Sequence, residues 1–246
     1  MMRRKQFAAR VWSKLVAFDR RHALLPSGRR VLAAVSGGPD SVCLAHWLSV
    51  QARRKGLTVA LLHVNHGLRG KAAERDAAFV RALGARLGLS VGVVRADVKG
   101  RAKKSGRGLE DAGRRERYRA LTSRARRGRF DAVATGHQLD DQAETFLLHL
   151  LRGTSLEGLG GIPAKRPLAP GVELIRPLLP LTRAEVMTYL KIHELDWRDD
   201  RTNRDAKFSR NWVRRKILPL LEARAPGMKE RLSEISAKVR AATGRA

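Results

Sequence analysis

Apolar residues fall in two rhythms along this chain. Short apolar runs occur at residues 31–35 (VLAAV), 57–64 (LTVALLHV), 89–94 and 130–135, each bounded by glycine, serine, asparagine or charged residues. They read as strands, and the run at 57–64 has the composition of a strand covered on both faces. Between and around them the spacing changes to three and four. Phe7, Val11, Leu15 and Phe18 share one face of a helix over about residues 5–20. Ala72, Phe79, Leu83 and Leu87 give a helix over 71–87, and an apolar run from Val42 to Leu48 opens another that ends near residue 54. Thr182-Arg183-Ala184-Glu185 is a capping box that starts a helix reaching about His193. Further helical segments are expected at 203–221, broken at Pro219, and from Met228 to the end. Strands alternating with helices predict an α/β fold, a Rossmann-like, doubly wound parallel sheet with a small helical C-terminal appendage. The division expected is one domain over 1–220 and a basic helical tail over 221–246. Two glycine-rich stretches, 97–108 (DVKGRAKKSGRG) and 151–161 (LRGTSLEGLGG), are expected to be mobile and able to close over a site.

In such a sheet ligands sit beyond the C-terminal ends of the strands. Three of those ends are SGGPDS, HVNHGLRG and ATGHQLDD, so three polar loops should converge on one crevice. In the first, Gly37 and Gly38 permit a sharp turn, and Pro39 suits the first helical position. Free N–H groups at that helix start form an anion site. The motif is neither G-x-x-x-x-G-K-[ST] nor G-x-G-x-x-G. It resembles the pyrophosphate loop of the N-type ATP pyrophosphatases, which implies that Ser36, Gly37, Gly38, Pro39, Asp40 and Ser41 bind ATP. His63, at the second strand end, reads either as a polar group facing the nucleotide or as part of a plain polar turn.

The third loop carries acids. With a helix beginning near the strand end, Asp141 lies about 40° from His137 and Glu144 about 20° on its other side, with Asp140 within about 60°. Leu139, Ala143, Phe146, Leu147 and Leu150 fill the opposite half. Such a stripe suits Mg²⁺, an ammonium group or a general base. It stands out in a chain with 51 Lys+Arg against 23 Asp+Glu, a formal charge of +28 that points to a polyanionic partner. The segment from Arg210 to Lys216 (RNWVRRK) is basic around an aromatic ring. Its Arg214, Arg215 and Lys216 are candidates for nucleic-acid phosphates. The single cysteine, Cys43, excludes an intrachain disulfide and a thiolate cluster, and reads as a small core residue. No long apolar span appears. The basic N-terminus is read as a structural helix rather than a transit peptide, so a cytoplasmic location is expected. The sequence does not select an oligomeric state, and a homodimer is compatible with it.

Taken in order, these motifs resemble the tRNA(Ile)-lysidine synthetase family of PP-loop ATP pyrophosphatases. The pattern comprises Ser36–Ser41, HVNHGLR at 63–69, E-x-A-x-R-x-x-R-Y from Glu110 to Tyr118, and GHQLDDQAET at 136–145. Then come Leu151-Arg152-Gly153 with Gly158-Leu159, Ile175-Arg176-Pro177-Leu178, and Asp200-x-Thr-Asn203 with Arg210-Asn211. The likeness covers roughly residues 5 to 220. Gly113 departs from it, standing where the family usually has alanine. The chain ends soon after 220, which matches the short form of the family. The resemblance implies a ligase that uses ATP and Mg²⁺ to adenylate the wobble cytidine of an isoleucine tRNA with a CAU anticodon. Free L-lysine then displaces AMP. It implies roles for Asp40 at Mg²⁺, for His137, Asp141 and Glu144 in catalysis and lysine binding, and for Arg114 and Arg210 in steadying phosphates or the activated base. A tRNA thiolase would share the loop but needs a cysteine pair. A small-molecule ligase has no use for the charge, and a non-catalytic RNA-binding protein has none for the loop.

Overall fold

The computed structural model describes residues 2–65, 67, 70–105, 108–198 and 210–244. Within them run α1 (Met2–His22), β1 (Arg30–Ala34), α2 (Pro39–Lys55), β2 (Thr58–Asn65), α3 (Lys71–Leu87) and β3 (Ser90–Arg95). They continue with α4 (Val98–Ser105), α5 (Leu109–Arg127), β4 (Ala132–Ala134), α6 (Leu139–Leu151), β5 (Lys165–Ala169), β6 (Val172–Ile175) and α7 (Arg183–Ile192). The C-terminal part holds α8 (Arg210–Trp212), α9 (Leu218–Arg224) and α10 (Met228–Ala242).

The six strands lie in the order β3-β2-β1-β4-β6-β5, parallel except for the antiparallel pair β5–β6. Alternation along the strands explains why both faces are covered. Val31, Ala33, Val59, Leu61, Ala132 and Ala134 point to one side, where they pack with Val11 and Leu15 of α1, Trp47 of α2, Val80 of α3 and Tyr189 of α7. Leu32, Leu62, Val133 and Leu174 point to the other, against Leu121 and Ala125 of α5. Cys43 is buried in the first of these layers. The order reverses at β1, which pairs with β2 on one side and β4 on the other. That switch point sets the crevice between SGGPDS and the segment after β4.

The helical C-terminal part packs on α6. Ala143, Phe146 and Leu147 meet Val213, Leu218 and Leu232 in a separate apolar cluster. Among the described residues no helix is long and apolar enough to cross a membrane.

Four expectations are corrected. Residues 98–105 form a helix, not a loose loop: Asp97 accepts the Gly100 N–H at its start (2.9 Å), and Val98 and Ala102 are buried with Ala96 and Ala112. The 151–161 stretch holds a 3-10 turn, Leu156–Gly160, tied down on three sides. His149 Nδ1 meets the Gly158 carbonyl at 2.6 Å, Gln142 Oε1 accepts the Ile162 N–H at 2.6 Å, and the Arg240 guanidinium donates to the Gly160 carbonyl. Strands β5 and β6 were not expected. Pro219 does not break its helix, because a π turn over Val213–Ile217 precedes it and places it in the first turn of α9, where no N–H is needed. His66, Leu68, Arg69, Asp200, Thr202 and Asn203, all drawn into the family pattern, lie outside the described residues.

Candidate active site

The loop after β1 is organised by Ser41. Its hydroxyl accepts the N–H groups of Ser36 (3.2 Å) and Gly37 (3.1 Å) and donates to the Gly38 carbonyl (2.8 Å). Gly37 sits at φ +95°, and a Cβ there would also press on Phe79 at 3.3 Å. Gly38 is the N-cap of α2 and Pro39 follows inside the first turn. No side chain caps this end, so the helix start remains able to receive an anion. His63 is buried on β2, its Nδ1 2.9 Å from the Val35 carbonyl beside the loop.

Asp40 is the charged residue of this turn. Its Oδ2 accepts Arg183 Nη1 at 2.5 Å, whereas its Oδ1 is buried without a partner. Burial raises the carboxyl to about 6, opposed by Arg183 and assisted by Asp141. An orphaned carboxylate oxygen beside an anion site fits one ligand of a hard cation such as Mg²⁺. The described residues hold no cluster of three or more His, Cys, Asp or Glu around it, so remaining ligands would have to be substrate oxygens and water.

The third loop differs from the expected geometry. The N-cap of α6 is Gln138, four residues beyond β4, so the helix begins after His137. The Gln138 side chain accepts the Asp140 N–H (2.7 Å), and Asp141 Oδ2 accepts the Gln138 N–H (3.0 Å), closing a capping box. His137 therefore precedes the helix, and its angular relation to Asp141 and Glu144 does not hold. It is fixed instead by Thr135 Oγ1, 2.9 Å from Nδ1. Burial and the charges of Arg176, Arg210, Arg114 and Arg117 lower its pKa to about 3, so the ring is neutral at ordinary pH. Leu150, expected on the apolar back, is exposed.

The acidic stripe exists, and the chain's own cations fill it. Glu144 is 0% exposed and accepts Arg210 Nε (2.6 Å) and Arg214 Nε and Nη2 (2.6 and 3.0 Å). Asp141 Oδ1 accepts Arg210 Nη2 at 3.0 Å, with Arg214 at 3.6 Å. Burial holds the Asp141 carboxyl above its ordinary range despite Arg210. Asp140 binds Lys229 Nζ at 2.6 Å and the Arg183 N–H at 2.8 Å. Burial works against the Arg214 charge, but the hydrogen bond and charge of Glu144 outweigh it, so its pKa is raised.

This separates the three candidate phosphate contacts. Arg214 meets Glu144, although its side chain remains 46% exposed. Arg215 and Lys216 are exposed and have no partner among the described residues. Arg114 lies on α5 with its guanidinium 5.2 Å from the Tyr118 ring centre. Sequence reasoning missed Arg183, Lys229 and the buried Arg176. The capping box marked the position of Arg183, but nothing local marked its partner.

Gly136 locks the two loops together. A Cβ there would stand 3.0 Å from the Asp40 backbone carbonyl. The anion-ready turn, Asp40 and the His137–Glu144 segment therefore occupy one crevice at the switch point of the sheet.

This fold and crevice define an α/β protein with an uncapped helix start at the switch point of a mostly parallel sheet. The chain belongs to the PP-loop family, whose domain model matches residues 9–221. Relatives include the tRNA(Ile)-lysidine synthases of Clostridium perfringens (40% identical, 85% of this chain and 44% of the relative) and Symbiobacterium thermophilum (44%, 83% and 42%). The enzyme of that name from Pseudomonas aeruginosa is 42% identical over 85% of this chain and 46% of its own length. The chain spans about half the length of these curated relatives. Among solved structures, the U34-tRNA thiolase NcsA of Methanococcus maripaludis, described with a [4Fe-4S] cluster, shares the fold. Its TM-score is 0.81 at 23% identity, over 96% of this chain and 79% of that one. The NH3-dependent NAD synthetase of Campylobacter jejuni is a more distant neighbour, at a TM-score of 0.52, 18% identity, and coverage of 99% and 96%.

Proposed function

We propose that the chain forms lysidine in tRNA: it activates the wobble cytidine of a CAU-anticodon isoleucine tRNA with ATP and joins free L-lysine to it. The observation that carries this reading is the contact at Gly136, which sets the phosphate loop against the acidic segment. One crevice can thereby hold a nucleotide's phosphates and an amine's ammonium side by side. The 40–44% identity to tRNA(Ile)-lysidine synthases across most of the chain supports the same substrates.

In this reading the turn at 36–41 holds the pyrophosphate portion of ATP, with His63 behind it. Asp40 Oδ1 offers a ligand to Mg²⁺, which when bound neutralises charge on the leaving pyrophosphate. The cytosine carbonyl oxygen attacks the α-phosphorus and pyrophosphate leaves; the lysine amine then attacks the ring carbon and AMP leaves. The base must leave its stack to be reached. Arg114 and Arg210 steady the phosphates or the activated base. Asp141 and Glu144 receive the lysine ammonium, and neutral His137 beside them does not repel it. A thiolase reading suits this chain poorly, since its one cysteine is buried and raised in pKa by desolvation.

Labelled lysine should enter a CAU-anticodon isoleucine tRNA transcript only with ATP, releasing AMP and pyrophosphate. ATP turnover without lysine incorporation would overturn this reading.

The positive charge is proposed to serve the tRNA backbone, so affinity should fall steeply with salt. Arg215→Ala and Lys216→Ala should each flatten the salt slope by about one and weaken all tRNAs alike. Arg214→Ala should behave differently, chiefly lowering stability, because its guanidinium faces Glu144. Binding across a salt series, with isoleucine and methionine tRNAs carrying CAU anticodons, checks this. Unchanged slopes in the Arg215 and Lys216 variants would remove this segment from the interface.

A further inference from the structure

Arg176 differs from Arg183, Arg210 and Arg214. Arg210 and Arg214 both meet a carboxylate, as does Arg183. Arg176 is 4% exposed and has no acidic partner among the described residues. Its Nη1 donates to the Pro163 carbonyl (2.6 Å) and its backbone N–H to the Ala164 carbonyl (2.9 Å). Its Nε–H is buried with no acceptor. A desolvated guanidinium with an idle donor and no counter-charge is a costly arrangement for a fold to keep.

Its neighbours add to the cost. Tyr118 acts on Arg176 favourably, while Arg166 and Arg114 act on it as like charges. The same Tyr118 ring has Arg114 at 5.2 Å and Arg166 at 5.9 Å from its centre. Two guanidiniums thus flank one phenol, whose field also reaches Arg176. Burial lowers the Arg176 pKa, yet leaves it charged at neutral pH. The position is also specific. The Ile175 carbonyl accepts the Thr135 N–H (3.0 Å), which sets Arg176 beside the turn into His137. Of the charges acting on His137, that of Arg176 is the strongest. Gly136, between Thr135 and His137, rests on Asp40.

We propose that Arg176, with Arg114 and Tyr118, forms a second phosphate site in the crevice, distinct from the turn at 36–41, with the idle Nε–H as its inner donor. The ligand is a phosphate ester, whose oxygens suit a guanidinium fork. Two sources share that chemistry: the α-phosphate of the nucleotide, or a phosphodiester flanking the target base. The inference rests on the reading of this crevice as a nucleotide-activating site, and adds a residue to which that reading gave no role.

The test is the arginine Nε–H spectrum of the ¹⁵N-labelled wild-type chain, titrated at constant ionic strength with AMP and, separately, with a CAU anticodon stem-loop RNA. The Arg176 signal is identified by its loss in Arg176→Lys or, if that variant does not fold, by through-bond assignment from its own backbone. It should shift and saturate with at least one ligand: AMP alone assigns the nucleotide, the RNA alone assigns the backbone. Arg176→Lys, which keeps the charge but loses the fork, should bind the responding ligand about tenfold more weakly. A signal unmoved by both ligands overturns the site. Pyrophosphate added to the same sample reports on the Gly37 and Gly38 amides. If those respond while Arg176 does not, the second site falls and the reading of the crevice stands; if neither responds, both fall.

Discussion

Asp40→Asn should reduce ATP-dependent pyrophosphate release by roughly 10²–10³, the range expected when one preorganised electrostatic group is lost from a site of charge transfer. The fold should survive. The ionised Asp40 is a burden on it: the unfolded chain binds this proton near 3.8, and the folded chain near 6. Folding therefore takes up a proton between those values. The residue's contribution to stability is greatest below about pH 4 and falls as pH rises towards 6. A shift of this size corresponds to roughly 2–3 kcal/mol, less solvent screening of a side chain that is 27% exposed. Asp40→Asn removes that penalty and gives up the ion pair with Arg183. At pH 7.5 the variant should be as stable as the wild type or more so, with the difference narrowing at pH 4.5. Wild-type pyrophosphate release should fall as pH drops through about 6. Urea unfolding at both pH values and a pyrophosphate assay measure these effects. Normal release by the Asn variant would remove Asp40 from the chemistry; a marked loss of stability would make its pairing with Arg183 a structural clasp.

How much of this could be read from the chain depends on the range of the interaction. The strands at 31–35 and 57–64 were legible because a strand covered on both faces shows as a continuous apolar run. SGGPDS was legible because glycine, proline and serine at those offsets build the turn by themselves. Strand β5 (KRPLA) is short, largely polar and contains proline, and β6 (VELI), though apolar, has only four residues; β6 is recruited by pairing with β4, which no local pattern records. The acidic residues of α6 were visible, but the geometry was not. Gln138 is a less usual N-cap than Ser, Thr, Asp or Asn, so the helix start was placed too early and His137 was drawn into it. The cations that meet these acids lie 66, 70 and 89 residues away. Arg176 read as one letter of a motif, and only its burial makes it unusual.

Glu144→Gln should produce the second large effect, on stability and on lysine use together. Glu144 is wholly enclosed and holds two guanidiniums with three hydrogen bonds. Neutralising it leaves Arg210 and Arg214 facing one another with only Asp141 to offset them. Loss of one member of a buried pair costs about 3–5 kcal/mol, tempered here because both arginines retain some solvent. Asp141→Asn should cost less than Glu144→Gln, because the burial that holds its carboxyl above the ordinary range offsets part of the lost Arg210 contact and weakened capping box. These losses alone would make the acids an anchor for the segment from Arg210 onwards. The proposed function requires more. If an ammonium is received here, it displaces a guanidinium or joins it, and removing either acid should raise the lysine concentration needed for half-maximal transfer by at least about tenfold, or 1.4 kcal/mol. ATP-dependent pyrophosphate release should change less. The measurement is lysine dependence well below each variant's unfolding midpoint, so that only folded enzyme is compared. Less stable variants with an unchanged lysine requirement would leave Asp141 and Glu144 as the anchor alone and move the lysine site elsewhere in the crevice.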